Sequence, residues 1–200
     1  MKLIIRIFAL SLLALAGCAS TSMEVIPQQV IQPAKANESQ IVFMRSSLIS
    51  SVLPASLYEV RGDRIEFLGM LNNDTKIAIK TTPGEHFYML VSNAADFLAA
   101  DLAPGKTYYA VATPRIGGWK PRFWLWPFKN DPNAEYNLFE DDLAELRRDT
   151  ALVTISEAAL AWYQANKAQI EARRVKYLQE WYALPETEKA KHSLQPSDGL

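Results

Sequence analysis

The sequence predicts a mainly β protein with α: an antiparallel β-sandwich followed by a C-terminal helical extension. Three observations lead there. Between Gln40 and Phe128, short apolar or alternating runs recur, broken by turn signals every ~8–12 residues. The links between consecutive runs are too short for crossovers, so antiparallel pairing is expected. After Asn130 the apolar period lengthens from two to 3.6, the change from strand to helix.

Each element has its own signal. Ile41-Val42-Phe43-Met44 is a continuous apolar run, the pattern of a buried strand. Ser46 to Pro54 reads as a Ser-rich loop. Ser56–Val60 and Arg64–Leu71 form a hairpin through Arg61-Gly62-Asp63. Lys76 to Thr81 alternates Ile77 and Ile79 with Lys76 and Lys80. Pro83-Gly84 is a turn, and His86 to Val91 sets Phe87, Met89 and Val91 on one face. Asp96–Leu102 is a further strand. Pro104-Gly105 then turns into Thr107–Ala112, which carries Tyr108, Tyr109 and Val111. Gly117-Gly118 leads into Trp119–Phe128.

In the extension, Asn137-Leu138-Phe139-Glu140 reads as a capping box. Glu140, Asp141 and Asp142 in the first turn and Arg147 and Arg148 in the last suit the helix dipole. Thr154-Ile155-Ser156-Glu157 is a second box, opening the longest helix, about 156–183. Leu160, Tyr163, Ile170, Tyr177, Trp181 and Leu184 share its apolar face, interrupted by Lys167 and Arg174. Pro185 ends it, and the tail from Ser193 is expected to fray.

The chain opens with Lys2 and Arg6 around an apolar run, Leu3 to Leu15. That run is short of the ~20 residues a span needs and has the order of a secretory signal. At its end Leu15-Ala16-Gly17-Cys18 resembles the lipobox of bacterial lipoproteins. The resemblance implies cleavage before Cys18, a diacylglyceryl group on its thiol and acylation of the new amino group. Small residues admit the peptidase, and only a thiol takes the lipid. Cys18 is the single cysteine, so no internal disulfide can form. Ala19, rather than Asp, resembles the sorting pattern of outer-membrane cargo. This implies a cell-envelope location on the periplasmic face of the outer membrane, with membrane lipid as a partner through Cys18. The expected division is a signal at 1–17, lipidated Cys18 with a flexible tether at 18–38, a β-sandwich at 39–129 and the helical extension at 130–200. Rich in Gln, Pro, Ser and Ala, Ala19 to Glu38 reads as disordered, with a reach of about 25 Å.

Ile41-Val42-Phe43-Met44-Arg45, Pro83-Gly84-Glu85-His86 and Leu102-Ala103-Pro104-Gly105-Lys106-Thr107-Tyr108-Tyr109 together resemble a domain-of-unknown-function family of bacterial lipoproteins. The Pro-Gly-x-His and Gly-Lys-x-Tyr-Tyr spacing is also similar to PEGA-type surface β-sandwich modules. The resemblance covers residues 40–128 and implies an envelope β-sandwich. It carries over no catalytic residues and no substrate.

Candidates for chemistry are sparse. Without Lys2 and Arg6 the 21 basic residues fall to 19 against 22 acidic, a net charge of −3. That gives no footprint for nucleic acid. His86 lacks an acid partner in sequence, because Glu85 points to the opposite face. His192 falls in the tail. Two distant His and a lipidated Cys make a poor zinc set, and no cofactor motif is present. Glu66, Asp96 and Asp101 read as solvated strand residues, and Glu140-Asp141-Asp142 as helix-start acids. Arg61-Gly62-Asp63 reads as turn chemistry. Ser46, Ser47, Ser50 and Ser51 beside Arg45 form a loop of the kind that carries binding surfaces.

Trp119 to Phe128 stands out. Trp119, Phe123, Trp124, Trp126 and Phe128 crowd together among Arg115, Lys120, Arg122 and Lys129. Both faces are apolar, so both should be covered, one by the core and the other by the long helix with Tyr163, Tyr177 and Trp181. The alternative is a binding patch of Trp119, Arg122, Trp124, Trp126 and Phe128 that meets lipid headgroups, glycan or a protein. The sequence thus points to a non-catalytic binding or structural module of the envelope, with an envelope protein or the cell wall as partner. Two other readings are an accessory subunit docking through the C-terminal helix and a cell-wall-directed hydrolase.

Overall fold

The computed structural model describes residues 23–47, 52–115 and 122–200. The signal segment, Cys18, Ser50, Ser51, Trp119 and Lys120 lie outside the described residues. The strands are β1 (Glu24–Val25), β2 (Ser39–Arg45), β3 (Ser56–Arg61), β4 (Arg64–Met70), β5 (Thr75–Thr81), β6 (Gly84–Val91), β7 (Ala95–Leu102), β8 (Thr107–Arg115), β9 (Arg122–Pro127), β10 (Ala151–Thr154) and β11 (Ser193–Leu194). The helices are α1 (Asp142–Asp149), α2 (Glu157–Tyr182) and α3 (Glu186–Lys191).

Two sheets stack face to face as a sandwich. The first runs β1-β10-β5-β2-β8-β9 and the second β11-β7-β6-β3-β4. Ile41, Phe43, Leu57, Tyr88, Leu98 and Leu125 meet between them. The outer face of the second sheet presents Tyr58, Phe67, Met89 and Phe97 to Tyr163, Ile170, Tyr177 and Trp181 of α2. The outer face of the first presents Val42, Met44, Tyr109 and Val111 to Phe128 and to Leu143 of α1. β2 is therefore buried on both faces along its whole length, which is why Ile41 to Met44 is unbroken by polar residues.

Antiparallel pairing throughout is corrected by three parallel pairs: β2–β8, β10–β5 and β11–β7. The short-connection argument governs consecutive strands such as β3–β4, β6–β7 and β8–β9, which are antiparallel. The parallel pairs join strands far apart in sequence, β2 and β8 being separated by all of β3 to β7.

The disordered tether is corrected from Met23 onward, residues 19–22 lying outside the described residues. Glu24 and Val25 pair with Thr154 and Val153, and the amide of Ile26 donates to Leu152 O at 3.0 Å. The Gln29 amide brackets Leu152, accepting from its N–H at 2.6 Å and donating to its carbonyl at 3.2 Å. Met23 packs among residues of both the inter-sheet core and the α2-covered face, and its sulfur accepts the Met70 amide at 3.2 Å. The polar composition of this segment conceals backbone and side-chain pairing along the free edge of β10.

The stretch after Asn130 is likewise more than helical, since β10 and β11 extend one sheet each. The frayed tail is corrected. Leu194 is fully buried, Thr107 and Leu200 exchange both backbone hydrogen bonds, and the buried Asp198 carboxylate accepts the Asn130 amide at 2.8 Å. Caps differ as well. Asn137 accepts from the Phe139 amide in a local turn, and α1 starts later, at Asp142. Ser156, not Thr154, caps α2 by accepting from the Ala159 amide at 3.1 Å. Lys76 of β5 is buried and donates to Arg147 O and Thr150 O at the end of α1, a cation at the negative end of the helix.

Candidate functional site

A cavity of about 990 Å³ opens at one end of the sandwich and is lined by Glu38, Glu59, Arg61, Lys80, His86 and Asp101 among others. The acid partner of His86 is here, though not where sequence adjacency pointed. It is Glu59, on the neighbouring strand β3. His86 Nδ1 lies 2.8 Å from Glu59 Oε1, and His86 Nε2 lies 2.8 Å from Thr82 O. Both partners are acceptors, so both ring nitrogens carry protons and the ring is an imidazolium. The Glu59 hydrogen bond raises the His86 pKa against the opposing effect of burial. Burial pushes Glu59 up, but hydrogen bonds from His86 and Arg61 outweigh it and hold the carboxyl at about 2. Arg61 Nη2 donates to Glu59 Oε2 at 2.8 Å and reaches Glu66 at 3.2 Å. Glu59 and His86 therefore spend their polar atoms on each other and on the fold. A general base needs a free lone pair within reach of substrate, and His86 presents none.

The hairpin turn and the Ser-rich loop also make internal contacts. Asp63 O accepts from Arg174 Nη2 at 3.1 Å, so the Arg61-Gly62-Asp63 turn docks on α2, with Gly62 at φ 63°. Arg45 is turned into the protein rather than toward solvent. It is fully buried, donating to Leu53 O and Leu71 O at 2.8 and 2.9 Å and lying over Phe123 at 4.2 Å. Ser46 Oγ donates to Asp74 at 2.7 Å, and the Ser47 amide to Asn73 at 2.9 Å. No group of three or more His, Cys, Asp or Glu side chains converges among the described residues.

The aromatic segment is divided by the structure. Phe128 is fully buried and meets Tyr136 edge-on at 5.4 Å, so it leaves the surface patch. Trp124 and Trp126 are covered, but not by the long helix as expected. His192, the residue after α3, stacks on them at 5.3 and 4.3 Å. α2 lies on the other sheet, reaching this corner through Tyr177, Glu180 and Trp181. His192 Nδ1 sits 3.1 Å from Leu125 O, and the Leu125 amide donates to Asp96 Oδ2 at 2.6 Å. One residue of the edge strand β9 thus has both backbone groups satisfied by side chains. Burial lowers the His192 pKa and pushes Asp96 up to about 7 despite the Leu125 and Phe97 amides.

What stays accessible is a corner. Arg115 and Arg122 are register partners at the last pair of β8 and β9. Arg115 lies 4.1 Å over Trp124 and Arg122 5.8 Å from Tyr177. Both border a cavity of about 260 Å³ with Asp96, Trp124, Tyr177 and Glu180. Neither guanidinium forms an ion pair among the described residues, which include every Asp and Glu of the chain. Like charges directly opposite are unfavourable, and here the aromatic faces and the attraction of Arg115 for the Asp96 carboxyl offset them. Sequence reading named Arg115 as a neighbour of the patch but had no register to set it opposite Arg122.

No protein-family model matches the chain, and no curated protein matches it.

Proposed function

We propose that this chain is a lipid-anchored, non-catalytic binding module of the bacterial envelope, held through Cys18 at the periplasmic face of the outer membrane. The Arg115–Arg122 corner is its contact for an anionic group, a carboxylate or phosphate carried by an envelope protein or the cell wall. The observation that carries this reading is the opposed arginine pair, neither of which forms an ion pair, bordering a cavity walled by Trp124 and Tyr177. The hydrolase reading draws no support from the cavity beside Glu59 and His86, which are consumed by each other. Two measurements test the proposal. Cys18→Ser should release the protein from membranes on fractionation, and retention with normal signal processing would contradict the anchor. Inorganic phosphate at low salt should shift the guanidinium NMR signals of Arg115 and Arg122 more than chloride of equal ionic strength. Equal responses would remove the corner as a binding site.

One observation favours a second reading, docking of an envelope partner on α2. Ala161, Ala165, Ala168 and Ala172 are exposed along one stripe that continues to Val175 and Tyr182, which are 53% and 68% exposed. Ala168→Glu with Ala172→Glu should reduce the native mass of the complex extracted from membranes, and an unchanged mass would discard this reading.

A further inference from the structure

The docking of residues 23–32 changes how far the domain stands from its anchor. Only Ala19, Ser20, Thr21 and Ser22 separate Cys18 from Met23. Five residue steps span at most about 18 Å even when fully extended, whereas a free 20-residue tether would average about 25 Å with a much longer limit. Met23 is fixed by its packing and by the Met70 amide, and β1 is fixed by β10. The exit point of the leash is therefore part of the folded body. The headgroup layer itself is ~5–8 Å deep on each side of the hydrocarbon core, so the β1 edge has little room to leave it.

The surface beside that exit has the composition a lipid surface tolerates. The exposed Glu24 of β1 is the one acidic residue of the segment 23–37, which otherwise carries a single charged residue, Lys35. Val25 and Val30 are 58% and 64% exposed, separated by Pro27, Gln28 and Gln29, all exposed and uncharged. Anionic headgroups repel carboxylates, so Glu24 is the one unfavourable residue of this surface, against the apolar Val25 and Val30 and the uncharged residues between them. The opposite edge differs. Five strand spacings separate β1 from β9 in the sheet order, roughly 24 Å at ~4.8 Å each. That edge carries Arg115, Arg122 and Trp124.

We infer that the β1 edge, with Val25 and Val30, rests against the lipid headgroups, and that the β9 edge with its arginine corner points away from the membrane. The inference rests on the lipid anchor proposed above. The anchor fixes one edge of the sheet, and the sheet's width then carries the binding corner clear of the bilayer, toward partners in the periplasm.

The test uses the full-length lipidated protein in vesicles of phosphatidylethanolamine and phosphatidylglycerol doped with headgroup-nitroxide lipid. Because Cys18 is the only native cysteine and bears the lipid, Val30→Cys or Leu184→Cys supplies the single free thiol for a fluorescent label. Leu184 borders the arginine corner and is exposed. The Val30 label should be quenched several-fold more than the Leu184 label. Equal quenching, or stronger quenching at Leu184, in protein whose intact mass carries the lipid would overturn the orientation while leaving the anchor standing. A mass without lipid would overturn the anchor and the orientation with it.

Discussion

The imidazole of His192 stacks on the indole of Trp126 with ring centroids 4.3 Å apart, while its Nδ1 holds the Leu125 carbonyl. One tail residue thereby closes both an aromatic face and the free edge of β9. His192→Ala is expected to cost about 2–3 kcal/mol from the lost stacking and hydrogen bond, read by denaturant unfolding. Its folded pKa lies below the ordinary 6.5. The unfolded chain therefore takes up the proton first, and the neutral ring's contribution is present above about pH 6.5 and lost as pH falls through the folded value. The alanine variant should lose less stability than the parent over that window.

Asp96 works in the opposite sense. With a folded pKa of about 7 against the ordinary 3.8, the folded protein holds the proton longer. Stability declines as pH rises from about 4 through 7. Asp96→Asn keeps an oxygen for the Leu125 amide and cannot ionise. Relative to the parent it should be at least about 1 kcal/mol more favourable at pH 8 than at pH 5. A constant difference across that range would contradict the assignment.

Glu59 and His86 stabilise each other over overlapping ranges. The Glu59 contribution is present above about pH 4.5 and lost as pH falls toward 2. The His86 contribution is present below about pH 6.5 and lost as pH rises through its raised folded value. Glu59→Gln should flatten both limbs of a stability profile and cost about 2–4 kcal/mol near pH 5.5.

The hydroxyl of Tyr88 is buried and finds no hydrogen-bond partner among the described residues, while its ring packs on Phe43 at 5.0 Å. Leaving such a group unsatisfied costs ~1–3 kcal/mol. Tyr88→Phe should therefore stabilise the fold by about 1 kcal/mol in thermal or denaturant unfolding.

Gly69 has φ 137°, and a Cβ there would lie 2.6 Å from the terminal methyl of Met23 and 3.0 Å from Ile77 Cδ1. Gly69→Ala combines a strained backbone with displacement of the Met23 side chain. A loss of about 2 kcal/mol or more is expected, together with faster amide exchange at Val25 and Ile26.

The sandwich was legible because β2 to β9 obey local rules: alternation, turn residues and short links. Ile41 to Met44 declared burial on both faces by lacking polar residues. Segments without a period of their own were illegible. Glu24–Val25 and Ser193–Leu194 are strands only because β10 and β7 offer an edge, and the Gln29 side chain continues the pairing along β10. The Glu59–His86 pair was hidden because it depends on the register between β3 and β6 rather than on sequence adjacency. His192 was hidden because a polar tail hardly announces itself as the cover of two tryptophans.

The claim on which the placement of this molecule depends is the fate of one thiol. The intact mass of the mature protein taken from its native membrane measures it directly. The account predicts a chain starting at Cys18 and carrying a diacylglyceryl group and an amide-linked acyl chain. An unmodified chain beginning at another residue would contradict it.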